Sequence, residues 1–595
     1  MKRITSVLLA LVATLGFNIH VTKNVEIVNM FCGNDLSYVL VFCAFIVLIY
    51  KSLHCTNKRL NTISLILSLI LSVFEIVGCS ISKYGNLSGI MEDKSVIIQN
   101  ILKFMEYMIL INATIKISYN YLDNLSLKKE IKKIKIFDNN ILSIIIVACI
   151  LILFWMPYFL FYYPGIIGFD TFNQLEQATG LIDLSKHHPI FLTILMKIII
   201  DVTNPLFNNY STSIAICVIL KMIIMSISLS FSLSYLAKKD VNIKIRLFLL
   251  FIFSLVSIFS LYAVSLDKDS LFACIILIDT IILYEFVTNT EEFLKSKKKL
   301  IFAMICIILT TLIRNNGIYI FLLTVPFIYI FLRKKYIKLT VFITSTLVLM
   351  YIVNKIILSV FVVGPVSIAE LFSIPVQAIA RIAKYNDNNV SEKEKEELRF
   401  YVQYDKMADV YMPNLSDNEK ALLNISYVKE HKIKFVILNL KMFFKYPSYY
   451  IESVLCNTSG YWYPEDIKLI FDRRIVDNKL GISTSSKIET NFIFQYIDWF
   501  SEKRSIPVVG MLFSCGFTFW MFLYIIFYII YKKAYKLLIP QLIVFINFLI
   551  IIAGPSNTEF RYIIPMYLTL PFIYCITIKE LKINNNVKKL EEKNN

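Results

Sequence analysis

Apolar residues come in long blocks along this chain, with little alternation at strand spacing. A bilayer takes about 20 apolar residues to cross, and about fourteen runs approach or reach that length. They are 4–22, 36–51, 60–80, 97–118, 140–163, 210–236, 244–265, 270–289, 299–313, 317–332, 338–360, 507–530, 536–553 and 561–578. Basic clusters fall between them: Lys2/Arg3, Lys58/Arg59, Lys128 to Lys135, Lys238 to Arg246, Lys295 to Lys299, Arg333 to Lys338, Lys532 to Lys536 and the C-terminal tail. Each follows every second run, so the positive-inside rule gives one consistent solution with both termini cytoplasmic. The run 189–201 does not fit. It is short, and counting it as a span would move Lys238/Lys239 outside, so it reads as a re-entrant or interfacial helix on the outer side. The expected fold is an all-α polytopic membrane protein with about fourteen transmembrane helices, that extra helix and a mainly helical extracytoplasmic domain. Its parts are N-terminal spans (1–135), a core (136–360) with a first outer loop at 164–209, the extracytoplasmic domain (361–506), C-terminal spans (507–578) and a cytoplasmic tail (579–595).

Composition agrees. Of the 595 residues 57% are apolar and 17% are charged, against roughly a quarter charged in soluble proteins. That excludes soluble enzymes and secreted disulfide scaffolds. The net charge of +18 sits in short loops, where it orients spans and does not mark a nucleic-acid partner. The eleven cysteines are scattered without a CxxC or Cys/His cluster, and only Cys32, Cys55 and Cys456 fall outside the runs. Residues 1–20 mimic a signal peptide but read as a first span. No P-loop or GxGxxG motif appears.

On this topology the polar segments 164–188, Asp267–Asp269, Arg314–Asn316 and Gly554–Arg561 share the outer rim. In Gly165-Ile-Ile-Gly168-Phe-Asp170 the glycines allow sharp turns, and Asp170 is either a general base in a bilayer-edge cleft or a helix cap. His187 and His188, before Pro189, are candidates to bind a sugar or phosphate or to contact a helix end; zinc lacks further ligands. Asp267 and Asp269 are alternative ligands for a divalent cation (Mg or Mn), and Lys268 is a candidate phosphate contact. Arg314 and Arg561 sit at span ends, suited to phosphate, with Glu559 a substrate contact or the ion-pair partner of Arg561. Tyr461, Trp462 and Tyr463, in a predicted turn Asn457–Pro464, offer rings to a sugar or pack a small domain. Lys221 and Asp279, near mid-span, are expected to pair with each other or to face a water-filled cavity.

Asp170, His188-Pro189, the Asp267–Asp269 turn and Arg561-Tyr562, in that order and on one side, resemble the GT-C superfamily of membrane glycosyltransferases. More narrowly, SIPVQAIAR (373–381), NTSGYWYP (457–464) and EFRYIIP (559–565) are similar to a bacterial branch of that superfamily. The likeness covers about 140–360 and the late spans, and residues 1–135 have no counterpart in it. The resemblance implies transfer of a sugar from a polyprenyl-phosphate donor to a glycan, protein or lipid acceptor on the outer face, with inversion. Asp170 would be the base, and Arg561, Arg314 and Lys268 would hold the donor phosphate. Metal-dependent members carry a clearer acidic pattern, of which this first loop shows only Asp170, and that favours a metal-independent enzyme. The rival readings are a lipid-linked glycan flippase or transporter and a cell-surface polymer ligase.

Overall fold

The computed structural model describes residues 2–17, 19, 36–125, 140–332, 337–360, 368–466, 475, 478–488, 491–497, 509–554 and 557–594. The Lys128 to Lys135 cluster, most of Arg333 to Lys338, Cys32 and Pro555 lie outside them. Among the described residues the chain is helical, and β pairing is limited to isolated bridges.

The principal helices are α1 (Lys2–Phe17), α2 (Leu36–Ser52), α3 (Lys58–Tyr84), α4 (Lys94–Asn124), α5 (Ile141–Phe161), α6 (Phe169–Ala178), α7 (Ile190–Phe207), α8 (Tyr210–Lys238), α9 (Ile243–Leu255) and α10 (Ser257–Val264). They continue with α11 (Lys268–Thr288), α12 (Lys297–Ile313), α13 (Gly317–Leu332), α14 (Ile337–Val360), α15 (Ser373–Tyr385), α16 (Lys432–Lys445), α17 (Pro447–Trp462), α18 (Cys515–Tyr531), α19 (Leu542–Ala553) and α20 (Phe560–Asn594). Polar residues set many of their starts. Asn57, Asp93, Asn140, Asn209, Asp267, Ser296 and Ser514 each accept a hydrogen bond from a backbone N–H in the first turn, satisfying donors that have no partner inside the helix.

Eight helices among the described residues are long and apolar enough to cross a membrane: α3, α4, α5, α7, α8, α11, residues 337–356 of α14 and residues 560–582 of α20. The count is nine if α9 and α10 form one span. The apolar helices α2, α13, α18 and α19 are shorter. A membrane protein with several spanning helices follows; among the described residues the helices of full spanning length are fewer than the fourteen runs. Helix α11 is buried along most of its length, packed by α8, α12 and α20. Helices α1 to α4 form their own group, joined to the rest where α3 meets α17 and α18. There a Cβ on Gly78 would overlap the Tyr463 ring, and one on Gly516 its backbone, so small residues set this close approach. Residues 369–450 build a separate core around α15. In it Arg381 is buried with its guanidinium on Glu452 (2.6 Å) and Tyr411 (2.7 Å).

Several expectations change. The segment 189–201 extends into the 18-residue α7 and is thereby longer than the run suggested, long and apolar enough to cross a membrane by length and composition. It continues through Pro205 and ends where Asn208 adopts φ 49°. The run 244–265 breaks at Val256 with a 57° bend, the geometry of a broken span or a re-entrant loop. Two of the carbonyls freed there find donors, Phe253 in Trp155 Nε1 (3.0 Å) and Leu255 in the Tyr496 hydroxyl (2.7 Å), which lowers the cost of a break within an apolar run. Residues 457–462 are the last turns of α17 and not a turn. Lys221 and Asp279 do not pair: Lys221 bonds Asp267 (3.2 Å), and Asp279 accepts from Thr310 (2.6 Å) at the wall of an apolar cavity of about 100 Å³.

Candidate functional site

The site begins with two loops zipped together. After α5 the chain turns at Gly165, whose φ of 144° and tight contacts with Val218 and the Val264 carbonyl admit no side chain. Ile166 then donates to the Val264 carbonyl (3.0 Å) and accepts from Leu266 N–H (2.8 Å). Thr171 Oγ1 adds a bond to the Leu266 carbonyl (2.6 Å). This bridge sets the starts of α6 and α11 side by side, so Asp170 in the first turn of α6 meets Lys268 in the first turn of α11.

Lys268 Nζ donates to Asp170 Oδ2 (2.9 Å) and to His188 Nδ1 (3.1 Å). Arg561, in the first turn of α20, donates from Nη1 to the same Asp170 oxygen (2.8 Å) and from Nη2 to the Tyr562 hydroxyl (3.0 Å), while its Nε contacts Glu559. Arg314, at the end of α12, faces the fully buried Asp269 at 3.1 Å. Its guanidinium lies between the Phe272 and Tyr562 rings. Asp267 caps α11 through Ser270 N–H (2.6 Å) and takes Lys221 on its other oxygen. The cluster thus opposes Lys221, Lys268, Arg314 and Arg561 to Asp170, Asp267, Asp269 and Glu559.

Burial raises the proton affinity of Asp170, but Lys268 and then Arg561 outweigh it and hold the carboxyl well below the usual carboxylate range. Both cations use Oδ2; among the described residues no group bonds Oδ1, and the side chain is one-third exposed. Burial and then Lys268 push His188 down to about 3. An ammonium only donates, so Nδ1 is the accepting nitrogen and the ring is neutral with its proton on Nε2. Asp269 and Arg314 touch without alignment: neither Asp269 oxygen nor Arg314 Nη1 has a well-directed hydrogen bond.

Asp170, His188, Lys268, Asp269, Arg314, Glu559 and Arg561, distant in sequence, therefore meet in one place. His187 is exposed and stacks edge-on against His188. Tyr461 is buried behind the cluster, where its hydroxyl accepts from Glu559 N–H (3.1 Å) and donates to the Asn557 carbonyl (3.3 Å). It braces the segment that carries Arg561. Trp462 and Tyr463 are core residues of the α3–α17–α18 junction, the former against Phe74 and Trp520, and present no ring to the cluster. Asp267 and Asp269 are a poor fit to a divalent cation, because each carboxylate already faces a basic side chain.

A model of a protein family, DUF6020, described as a family of unknown function, matches residues 180–591, more than half of the chain. The chain belongs to that family. No curated protein and no solved structure matches it. The residues of this DUF6020 member matched by the family model include every cluster residue named above except Asp170.

Lys221 was not legible as part of this site. Its ammonium ties the Tyr262 carbonyl (2.6 Å), the Ser265 carbonyl and Asp267 together, fixing the turn that aims Lys268 and Asp269. Lys221→Met should destabilise the folded protein by about 3–5 kcal/mol, because it strands a partly buried carboxylate. Lys221→Met/Asp267→Asn should recover part of that loss. Thermal unfolding of the purified variants reads both; equal melting of wild type and Lys221→Met would remove the bracing role.

Proposed function

We propose that this DUF6020 member is a GT-C-type integral membrane glycosyltransferase. It moves a sugar from a polyprenyl-phosphate donor to an acceptor on the extracytoplasmic face and inverts the anomeric centre. The observation that carries the reading is the sharing of one Asp170 oxygen by Lys268 and Arg561, with Arg314 in the same cluster. That is a proton acceptor amid cations suited to a phosphate. The first turns of α6, α11 and α20 all contribute to the cluster, and helix N-termini favour anions. The buried, poorly aligned Arg314 Nη1 is available for a better acceptor.

In the resting site Asp170 neutralises Lys268 and Arg561. A donor phosphodiester brings one negative charge and competes for both. As they turn to the phosphate, Asp170 loses its stabilising cations and gains proton affinity. It then takes the proton of an acceptor hydroxyl as that oxygen attacks the anomeric carbon, and the C–O bond to the phosphate breaks. The polyprenyl phosphate leaves carrying the electron pair, held by Arg561, Lys268 and Arg314. His188, kept neutral, steers Lys268 and can donate from Nε2. No metal is needed in this scheme, and turnover should persist in chelator.

The pH dependence tests the competition. The acid limb of kcat/KM reports the free enzyme and that of kcat the donor complex. Because the free carboxyl is depressed by Lys268 and Arg561, and the phosphate offsets those cations, the acid limb of kcat should lie at higher pH than that of kcat/KM. Transfer from polyprenyl-phosphate monosaccharides by the purified protein in nanodiscs, measured across pH, gives both limbs. Coincident limbs would contradict the exchange of cations between Asp170 and phosphate.

A further inference from the structure

Helix α16 (Lys432–Lys445) belongs to the core of residues 369–450, yet it is apolar on two opposite faces. Phe435, Leu438 and Met442 are buried in that core. At about 100° per residue, Ile433, Val436, Ile437, Leu440 and Phe444 fall together in a sector of about 100° on the other side. All five are exposed, Ile433 at 75% and Phe444 at 79%. A domain surface in water would carry polar residues there, and a contiguous apolar face of this kind marks an interaction surface.

The borders of the face are basic. Lys434, Lys441 and Lys445 lie along one edge and Lys432 along the other. Lys445 is held by Glu394 (2.7 Å). Lys432, Lys434 and Lys441 are exposed and have no ion-pair partner among the described residues. Apolar side chains flanked by free lysines match a lipid surface with anionic headgroups, the acyl boundary taking the rings and aliphatic groups and the ammonium ends reaching up to phosphates.

The connection to the bundle agrees. Helix α17 follows after the single residue Tyr446, and its far end is wedged between α3 and α18 at Gly78 and Gly516. Cys456 bonds the carbonyl of Gly85, which caps the end of α3 (3.1 Å). From Cys456 to Pro447 the helix rises at most about 14 Å, so the start of α17 stays near the level at which a spanning helix ends. A second copy of the chain would not explain the unpaired lysines on both borders, since like charges would face one another across a symmetric contact.

We propose that α16 is an interfacial helix that seats the 369–450 unit on a membrane surface carrying anionic lipids. The full chain in nanodiscs tests it. Phe444→Trp, read against the parent chain with its own tryptophans, should add blue-shifted emission that brominated acyl chains quench. Quenching should grow with the fraction of phosphatidylglycerol, and Lys434→Glu/Lys441→Glu in that background should remove the growth. Glu396→Trp, on the exposed, charge-rich helix Glu392–Arg399 of the same unit, should stay red-shifted and unquenched. Red-shifted, unquenched emission at position 444 would overturn the proposal. So would blue-shifted emission that brominated lipid does not quench, which would mean that protein covers the face. Quenching indifferent to lipid charge would overturn the assignment of the lysines. None of these readouts depends on sugar transfer, so the proposal can fail or stand apart from the enzymatic one.

Discussion

Asp170→Asn is expected to leave the protein folded and to cut sugar transfer by about 10²–10⁴-fold, the usual cost of removing a general base. The substitution keeps the size of the side chain and its hydrogen-bond reach but removes the charge that neutralises Lys268 and Arg561. An anionic ligand no longer has to displace a carboxylate, so polyprenyl phosphate should bind as well as before or more tightly. Turnover lost with binding kept or improved is a signature that a misfolded variant does not give. Asp170→Glu should recover little, because misplacement by about 1 Å can cost about 10²-fold. Asp183, exposed in the same connection, is the control, and Asp183→Asn should be nearly silent. Normal transfer by Asp170→Asn would end the proposed mechanism and favour a chain that only moves lipid.

Arg561→Ala should produce the second large effect, this time on binding. The guanidinium spreads over Asp170, Glu559 and the Tyr562 hydroxyl. Truncating one partner of a buried, hydrogen-bonded charge pair costs about 2–5 kcal/mol. Polyprenyl-phosphate affinity should therefore fall by well over tenfold. Arg561→Lys should rescue poorly, since a point charge cannot hold three partners in one plane. Glu559→Ala separates the two roles of the arginine. If the pair were only structural, Glu559→Ala and Arg561→Ala would lower thermal stability alike and leave affinity per folded molecule unchanged. If Arg561 holds phosphate, Glu559→Ala should leave binding intact, with one competing carboxylate fewer.

The sequence made the spanning blocks visible because burial in lipid demands unbroken apolar runs. It also brought Asp170, Lys268, Arg314 and Arg561 to one side, because charge asymmetry orients each block. Cross-helix pairing was beyond it. Lys221 and Asp279 both read as mid-span charges, but partner choice depends on helix rotation and depth, and Lys221 reaches Asp267 at the start of α11. The break at Val256 carries no Pro or Gly to announce it; it is sustained by Trp155 and Tyr496 from elsewhere in the chain. The aromatic run at 461–463 looked like a sugar platform because a Gly and a Pro flank it. Gly460 instead lies inside α17, against Thr558, and Pro464 follows the helix end.

Asp170 and Arg561 are 391 residues apart, and that separation governs how the chain must be made. Synthesis at about 5–20 residues per second leaves roughly 20–80 s between the emergence of the carboxylate and that of its guanidinium. Through that interval Lys268 can shield Asp170, and Arg314 can shield Asp269, but Glu559 and the second cation for Asp170 do not yet exist. Ribosomes stalled before α20 would therefore release chains with most spans inserted and an incomplete ion cluster. Such products should be recognised by membrane quality control through their unmatched charge, and α20 serves as the closing piece of assembly.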